Sequence, residues 1–178
     1  MNATVSPQKK DVYEALRGLF QQMLPPPVPP IILGLGNRVA TPKGAFIAMT
    51  AIGDVRLETN IDTDVDGYFT GGPQITQSMK PTRLDIQIDF YGPNAQSWAL
   101  MTEILFRDDY AFEALEPDVA PLYADDPIMV PLVDGEDQYL NRWTVTAAVQ
   151  FNPITVTAQS FSTTLNTKVI LVDEEFHP

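Results

Sequence analysis

The sharpest chemical pattern in the chain is Asp62-Thr63-Asp64-Val65-Asp66-Gly67. It sets oxygens at positions one, three and five and a glycine at position six of an EF-hand-type calcium loop, as a hard cation with several oxygen ligands requires. The twelfth position of such a loop needs a bidentate Glu and holds Pro73, and the flanking segments read as strands rather than helices. The reading taken is therefore a solvated acidic loop over 59–73, with little periodicity, and no metal centre.

Other chemistry is short of parts. The one histidine, His177, is next to the last residue, where a base is poorly positioned. The acid pairs Asp108-Asp109, Asp125-Asp126 and Glu174-Glu175 could serve acid–base or divalent-metal chemistry. Adjacent residues on a strand point to opposite faces, however, and acids near a helix start cap it, so capping and solvation are the plainer reading. Gly34-Leu35-Gly36 lacks the third glycine and the lysine of a phosphate-binding loop. Trp98, Phe106 and Trp143 fall on apolar stripes and read as core rather than as a cofactor pocket. No catalytic residue and no cofactor site is assigned, so the chain reads as a non-enzyme.

The elements that position these residues follow from periodicity. Val12, Leu16, Leu19, Phe20 and Met23 recur at helical spacing over 7–24, with Ser6 as the expected cap and Pro7 in the first turn. Pro25 to Pro30 stops this helix as a stiff spacer; no basic residue flanks it, as a Pro-rich ligand would want. Strands are expected at 31–35 and 45–58. The clearest one is Leu84, Ile86, Ile88 and Phe90 alternating with Arg83, Asp85, Gln87 and Asp89, one face dry and one wet. Gly92-Pro93-Asn94 opens a helix with Ala95, Trp98, Ala99, Thr102, Leu105 and Phe106 on one stripe, and Asp108 caps a short helix over 110–115.

Residues 116–137 are rich in Pro and Asp and read as an irregular excursion with a short strand near Leu122 and Tyr123. From Gln138 to Asn152 alternation returns, with Tyr139, Asn141, Trp143, Val145, Ala147, Val149 and Phe151 on one side. Straight, that strand would reach about 45 Å at roughly 3.3 Å per residue, so it must bend or project. Val169–Val172 is a candidate edge strand before an acidic tail, 173–178. The order predicts a single α+β domain over 1–178, a mainly antiparallel sheet packed with two or three helices on one face.

Composition bounds the function. Hydrophobic residues make up 44% of 178, enough for a core, and 11 basic against 23 acidic residues give a net charge of −12. Such a surface repels phosphates and anionic lipid, and its densest basic pair, Lys9-Lys10, precedes Asp11. There is no cysteine, hence no disulfide or thiolate site. Met1–Lys10 is polar, and no stretch nears the roughly 20 apolar residues of a membrane span. The expectation is a soluble protein made and used in a cytoplasm.

Several segments carry a resemblance to a known family. They are Asp11-Val12-Tyr13-Glu14-Ala15-Leu16, Asn37-Arg38-Val39 with Pro42-Lys43-Gly44, and Arg56-Leu57-Glu58-Thr59-Asn60. More specific are Gln87-Ile88-Asp89-Phe90-Tyr91-Gly92-Pro93, Pro121-Leu122-Tyr123-Ala124-Asp125-Asp126-Pro127, and Glu136-Asp137-Gln138-Tyr139 before Asn141-Arg142-Trp143. In this order, over 11–174, the chain resembles the neck or tail terminator proteins of long-tailed bacteriophages.

The resemblance implies a structural virion protein of the tail and neck, assembled in the host cytoplasm. It implies a homo-oligomeric ring, expected as a hexamer, that caps the tail tube and joins it to the head-side connector, with double-stranded DNA only passing through the lumen and no membrane partner. Asp62, Asp64 and Asp66, with Tyr68 and Phe69, form the candidate interface or lumen loop, since carboxylates deny passing DNA the counterion release that drives binding. The alternatives are another small virion part, such as a tail tube or head-completion protein, and a divalent-metal or ligand-binding module.

Overall fold

A computed structural model describes residues 5–34, 42–65, 75–115, 117–133 and 139–158. The elements in chain order are β1 (Val5–Ser6), α1 (Lys9–Met23), β2 (Ile31–Leu33), β3 (Phe46–Arg56), β4 (Ile61–Val65), β5 (Ile75–Met79), β6 (Thr82–Tyr91), α2 (Ala95–Phe106), α3 (Asp109–Ala114), β7 (Val119–Ala124), β8 (Ile128–Met129), β9 (Leu132–Val133), β10 (Tyr139–Leu140), β11 (Arg142–Phe151) and β12 (Ile154–Ala158). The fold is α+β, and every strand pair except the parallel β2–β3 is antiparallel.

The expected single sheet is three. The largest has the order β2-β3-β6-β11-β7, with β8 also paired to β11. Both helical stripes pack on one face of it. Leu84, Ile86, Ile88 and Phe90 of β6 and Val145, Ala147, Val149 and Phe151 of β11 share one buried cluster with Val12, Leu16, Leu19 and Phe20 of α1 and Trp98, Ala99 and Phe106 of α2. Phe20 meets Phe90 edge-on at 6.0 Å between ring centroids, and the Ala51 amide donates to the Tyr13 hydroxyl at 2.8 Å, tying α1 to β3. Thr102, inside the apolar stripe of α2, is fully buried because its hydroxyl donates to the Trp98 carbonyl at 2.8 Å.

Local corrections have local causes. The first helix is capped at Gln8, not Ser6: the Gln8 amide donates to the Asp11 carboxylate at 2.7 Å, so the chain turns helical at Lys9, past Pro7. In the Pro25–Pro30 spacer, Pro29 is buried and Val28 packs against the core, so the segment is laid onto the domain. Asp108 caps α3 as expected, accepting from the Asp109 amide at 2.7 Å. At the end of β6, Gly92 has φ +112, and a Cβ there would stand 2.7 Å from that of Ala45.

The long final strand is divided. Tyr139–Leu140 leaves the main sheet to pair with Leu132–Val133 in a separate two-stranded ribbon, while Arg142–Phe151 stays in it. At the other end, β11 passes through Asn152-Pro153 into β12, just as β5 passes through Lys80-Pro81 into β6. Proline has no amide to give the ladder, so both strands break at the same level. The junction stays bonded, with Lys80 N donating to Pro153 O at 2.9 Å and Leu57 N to Pro81 O at 3.0 Å. Beyond it, β4, β5 and β12 continue β3, β6 and β11 as a second sheet of order β1-β12-β5-β4.

Candidate assembly interface

Residues 59–73 were expected as an irregular loop, but Ile61–Val65 is a strand, paired along its whole length with β5. The sequence carried the signal in Ile61, Thr63 and Val65, a period-two pattern masked by the intervening acids. Asp62 lies opposite Ser78 and Asp64 opposite Thr76, whose hydroxyl donates to Asp64 Oδ1 at 2.7 Å. An extended, laddered Asp62 and Asp64 do not have the turn geometry of a calcium loop. Among the described residues no cluster of three acidic, histidine or cysteine side chains could hold a metal. Asp66, Tyr68, Phe69 and Pro73 lie outside the described residues, as do Val169–Val172 and His177.

Residues opposite one another in a ladder share a face, which sorts the second sheet into two unlike surfaces. The rows Ile61–Met79–Ile154, Thr63–Gln77–Val156 and Val65–Ile75–Ala158 put seven apolar side chains on one face. The alternate rows, Asp62–Ser78–Thr155 and Asp64–Thr76–Thr157, are carboxylates and hydroxyls with no lysine or arginine among them. A sheet with one apolar face ordinarily lays it on a core. Here no residue of β4, β5 or β12 is buried, and Ile61 and Val65 keep 43% and 42% of their surface exposed.

The open face of the main sheet is different. Asp89, expected on the wet side, is 5% exposed because its carboxylate is saturated with donors. Oδ1 accepts from Arg142 Nε at 3.1 Å, Arg142 Nη2 at 2.9 Å and Thr144 Oγ1 at 2.7 Å, and Gln87 Nε2 donates to both oxygens at 3.1 and 2.9 Å. Beside it Tyr91 stacks on Phe46 at 4.2 Å, and burial above all pushes the Tyr91 phenol above its ordinary range, with Arg142 opposing. This network joins β6 to β11 across that face. Sequence parity sets Asp89 and Arg142 on the same face, but their pairing spans 53 positions and is not visible in spacing.

A family model described as phage neck terminator protein matches residues 10–173. No curated protein matches the chain. Among the described residues no helix is long and apolar enough to cross a membrane.

Proposed function

The chain belongs to the phage neck terminator family, and on that footing we propose that its copies close into a ring of six that caps the finished tail tube and joins it to the head-side connector. Membership gives a structural role in the phage virion, among neck and tail proteins. The ring, its partners and its assembly in the host cytoplasm before incorporation are our reading.

The observation that carries it is the uncovered apolar face of the β1-β12-β5-β4 sheet. Of its seven apolar side chains, Ile61, Val65 and Val156 are exposed and Ile75, Met79 and Ile154 only half-buried, a cost in water that contact with another chain removes. The opposite face suits a channel: Asp62 and Asp64 line the lumen in this reading, where the carboxylates keep passing DNA from sticking, and the candidate interface or lumen loop continues through Asp66, Tyr68 and Phe69 in the sequence.

Light scattering and negative-stain electron microscopy of the concentrated protein, alone and with purified tail tubes, test the reading. Discrete rings, or rings at tube ends, are the expected result; extended tubes would make the chain a tube subunit instead. For the lumen, rings carrying Asp62→Lys and Asp64→Lys should gain salt-sensitive DNA binding that native rings lack. A ring structure with these residues turned outward overturns that assignment.

A further inference from the structure

The two edges of the main sheet are unlike, and they match. One edge is β2, which pairs with β3 on one side and with nothing on the other among the described residues. Between it and α1 runs a groove of about 370 Å³ lined by Tyr13, Arg17, Ile31, Leu33 and Met49, with the Lys10–Glu14 pair at its rim. The other edge carries β8 and the residues after it, where Ile128, Met129, Val130 and Leu132 are 64%, 54%, 37% and 38% exposed. An apolar run this open on one edge, with an apolar groove at the opposite edge, gives two surfaces that a head-to-tail contact between copies would cover.

Three independent features agree with that contact. The first is direction: β2 runs parallel to β3, β3 antiparallel to β6, β6 antiparallel to β11, and β11 antiparallel to β8. Continued into a second copy of the same orientation, the sheet brings β8 antiparallel to β2, the more favourable pairing. The second is side: Met129 lies opposite Trp143, on the helix-bearing face, and Ile31 and Leu33 lie opposite Ile47 and Met49 on that same face, where the groove opens. The third is charge: Lys10 and Arg17 against Glu14 leave the groove at 2 − 1 = +1, whereas at the opposite edge Asp126 is paired with Arg107 at 2.9 Å and Asp125 adds a further negative charge.

We propose that Met129 seats in the α1–β2 groove of the next copy, with Ile128 and Val130 on the opposite face of the joined strands, so that the sheet continues from subunit to subunit. The proposal rests on the ring reading above and specifies its joint. A flexible, unbranched methionine suits an irregular groove between a helix and a strand edge. Because the two surfaces are different, the contact cannot be satisfied within an isologous dimer; it propagates until rotation closes it.

The chain has no cysteine, so paired thiols report the contact without background. Leu33→Cys and Met129→Cys, both at exposed positions, are made separately, mixed in equal amounts under assembly conditions and oxidised. The mixture should give a disulfide-linked dimer, each variant alone none, and the double variant a ladder ending at the ring number. Met129→Asp, folded by circular dichroism, should weaken association by about tenfold or more. Rings seen by microscopy with no cross-link in the mixture overturn this joint and leave the ring reading standing, with the groove filled by another partner or by the chain's own terminal segment. Protein that stays monomeric on the tube end, without cross-link, overturns both.

Discussion

The main sheet and its extension are made from the same three chain paths, two of them broken at Pro81 and Pro153, yet only one of the two sheets is a core. Before the break, Leu84, Ile86, Ile88 and Val149 are fully buried under two helices; beyond it, no residue of β4, β5 or β12 is buried at all. Both are fully laddered, and it is the main sheet, not the extension, that carries a register shift, between Ala51 and Gly53 of β3. Backbone pairing therefore does not distinguish them; what differs is whether anything covers the apolar face. On the ring reading proposed above, the first region makes the fold of the subunit and the second is kept for contact.

That division is broken most directly by matched truncations. Phe90→Ala, which removes a buried ring packed on Phe20, should cost about 3–5 kcal/mol of unfolding free energy. Ile61→Ser on the extension should cost less than about 1 kcal/mol in the isolated subunit and yet abolish ring formation. Denaturant midpoints with light scattering on the same samples separate the two. If Ile61→Ser destabilised the monomer as much as Phe90→Ala, the extension would be core after all.

The Asp89 network sharpens the comparison from the other face. Asp89→Ala strands the Arg142 guanidinium, whose side chain is 19% exposed, and should cost about 3 kcal/mol. Adding Arg142→Met to it should recover part of that loss, since an apolar pair leaves no uncompensated charge. A double-mutant cycle by chemical denaturation that shows no coupling would mean the ion pair does not hold β6 to β11.

Sequence patterning read the first region well and the second poorly, for one physical reason. The alternation of Leu84, Ile86, Ile88 and Phe90, and the helical stripes through Val12–Phe20 and Ala95–Phe106, exist because each element lays one face on a core, so burial writes itself into the residue types. Among the described residues, no side chain on the apolar face of the extension is buried. Ile61, Thr63 and Val65 still alternate, but the acids between them read as a solvated loop. Pro81 and Pro153 are plain in the sequence, but that they break neighbouring strands at one level, dividing one sheet into two, depends on register. Asp89 does lie on the open face with Asp85 and Gln87, but charge there does not mean exposure, because its donors, Gln87, Arg142 and Thr144, allow it to be buried.

The smallest effect concerns the junction between these regions. Lys9, in the first turn of α1, lies 2.9 Å from Asp54, late in β3 just before the strand leaves the core. The hydrogen bond from Lys9 holds the Asp54 carboxyl below its ordinary range, with burial opposing and the Lys9 and Lys80 charges assisting. A depressed folded value means that the contribution is full above the ordinary carboxylate range, about 3.9, and is lost as pH falls through the folded value. Because both side chains are more than a third exposed, solvent screens the pair, and Lys9→Met should cost about 0.5 kcal/mol or less at neutral pH. The difference between native and variant midpoints should close as the pH is lowered below the carboxylate range and shrink with added salt. A difference that persisted unchanged in acid would assign the effect to the packing of the Lys9 stem rather than to the charge pair.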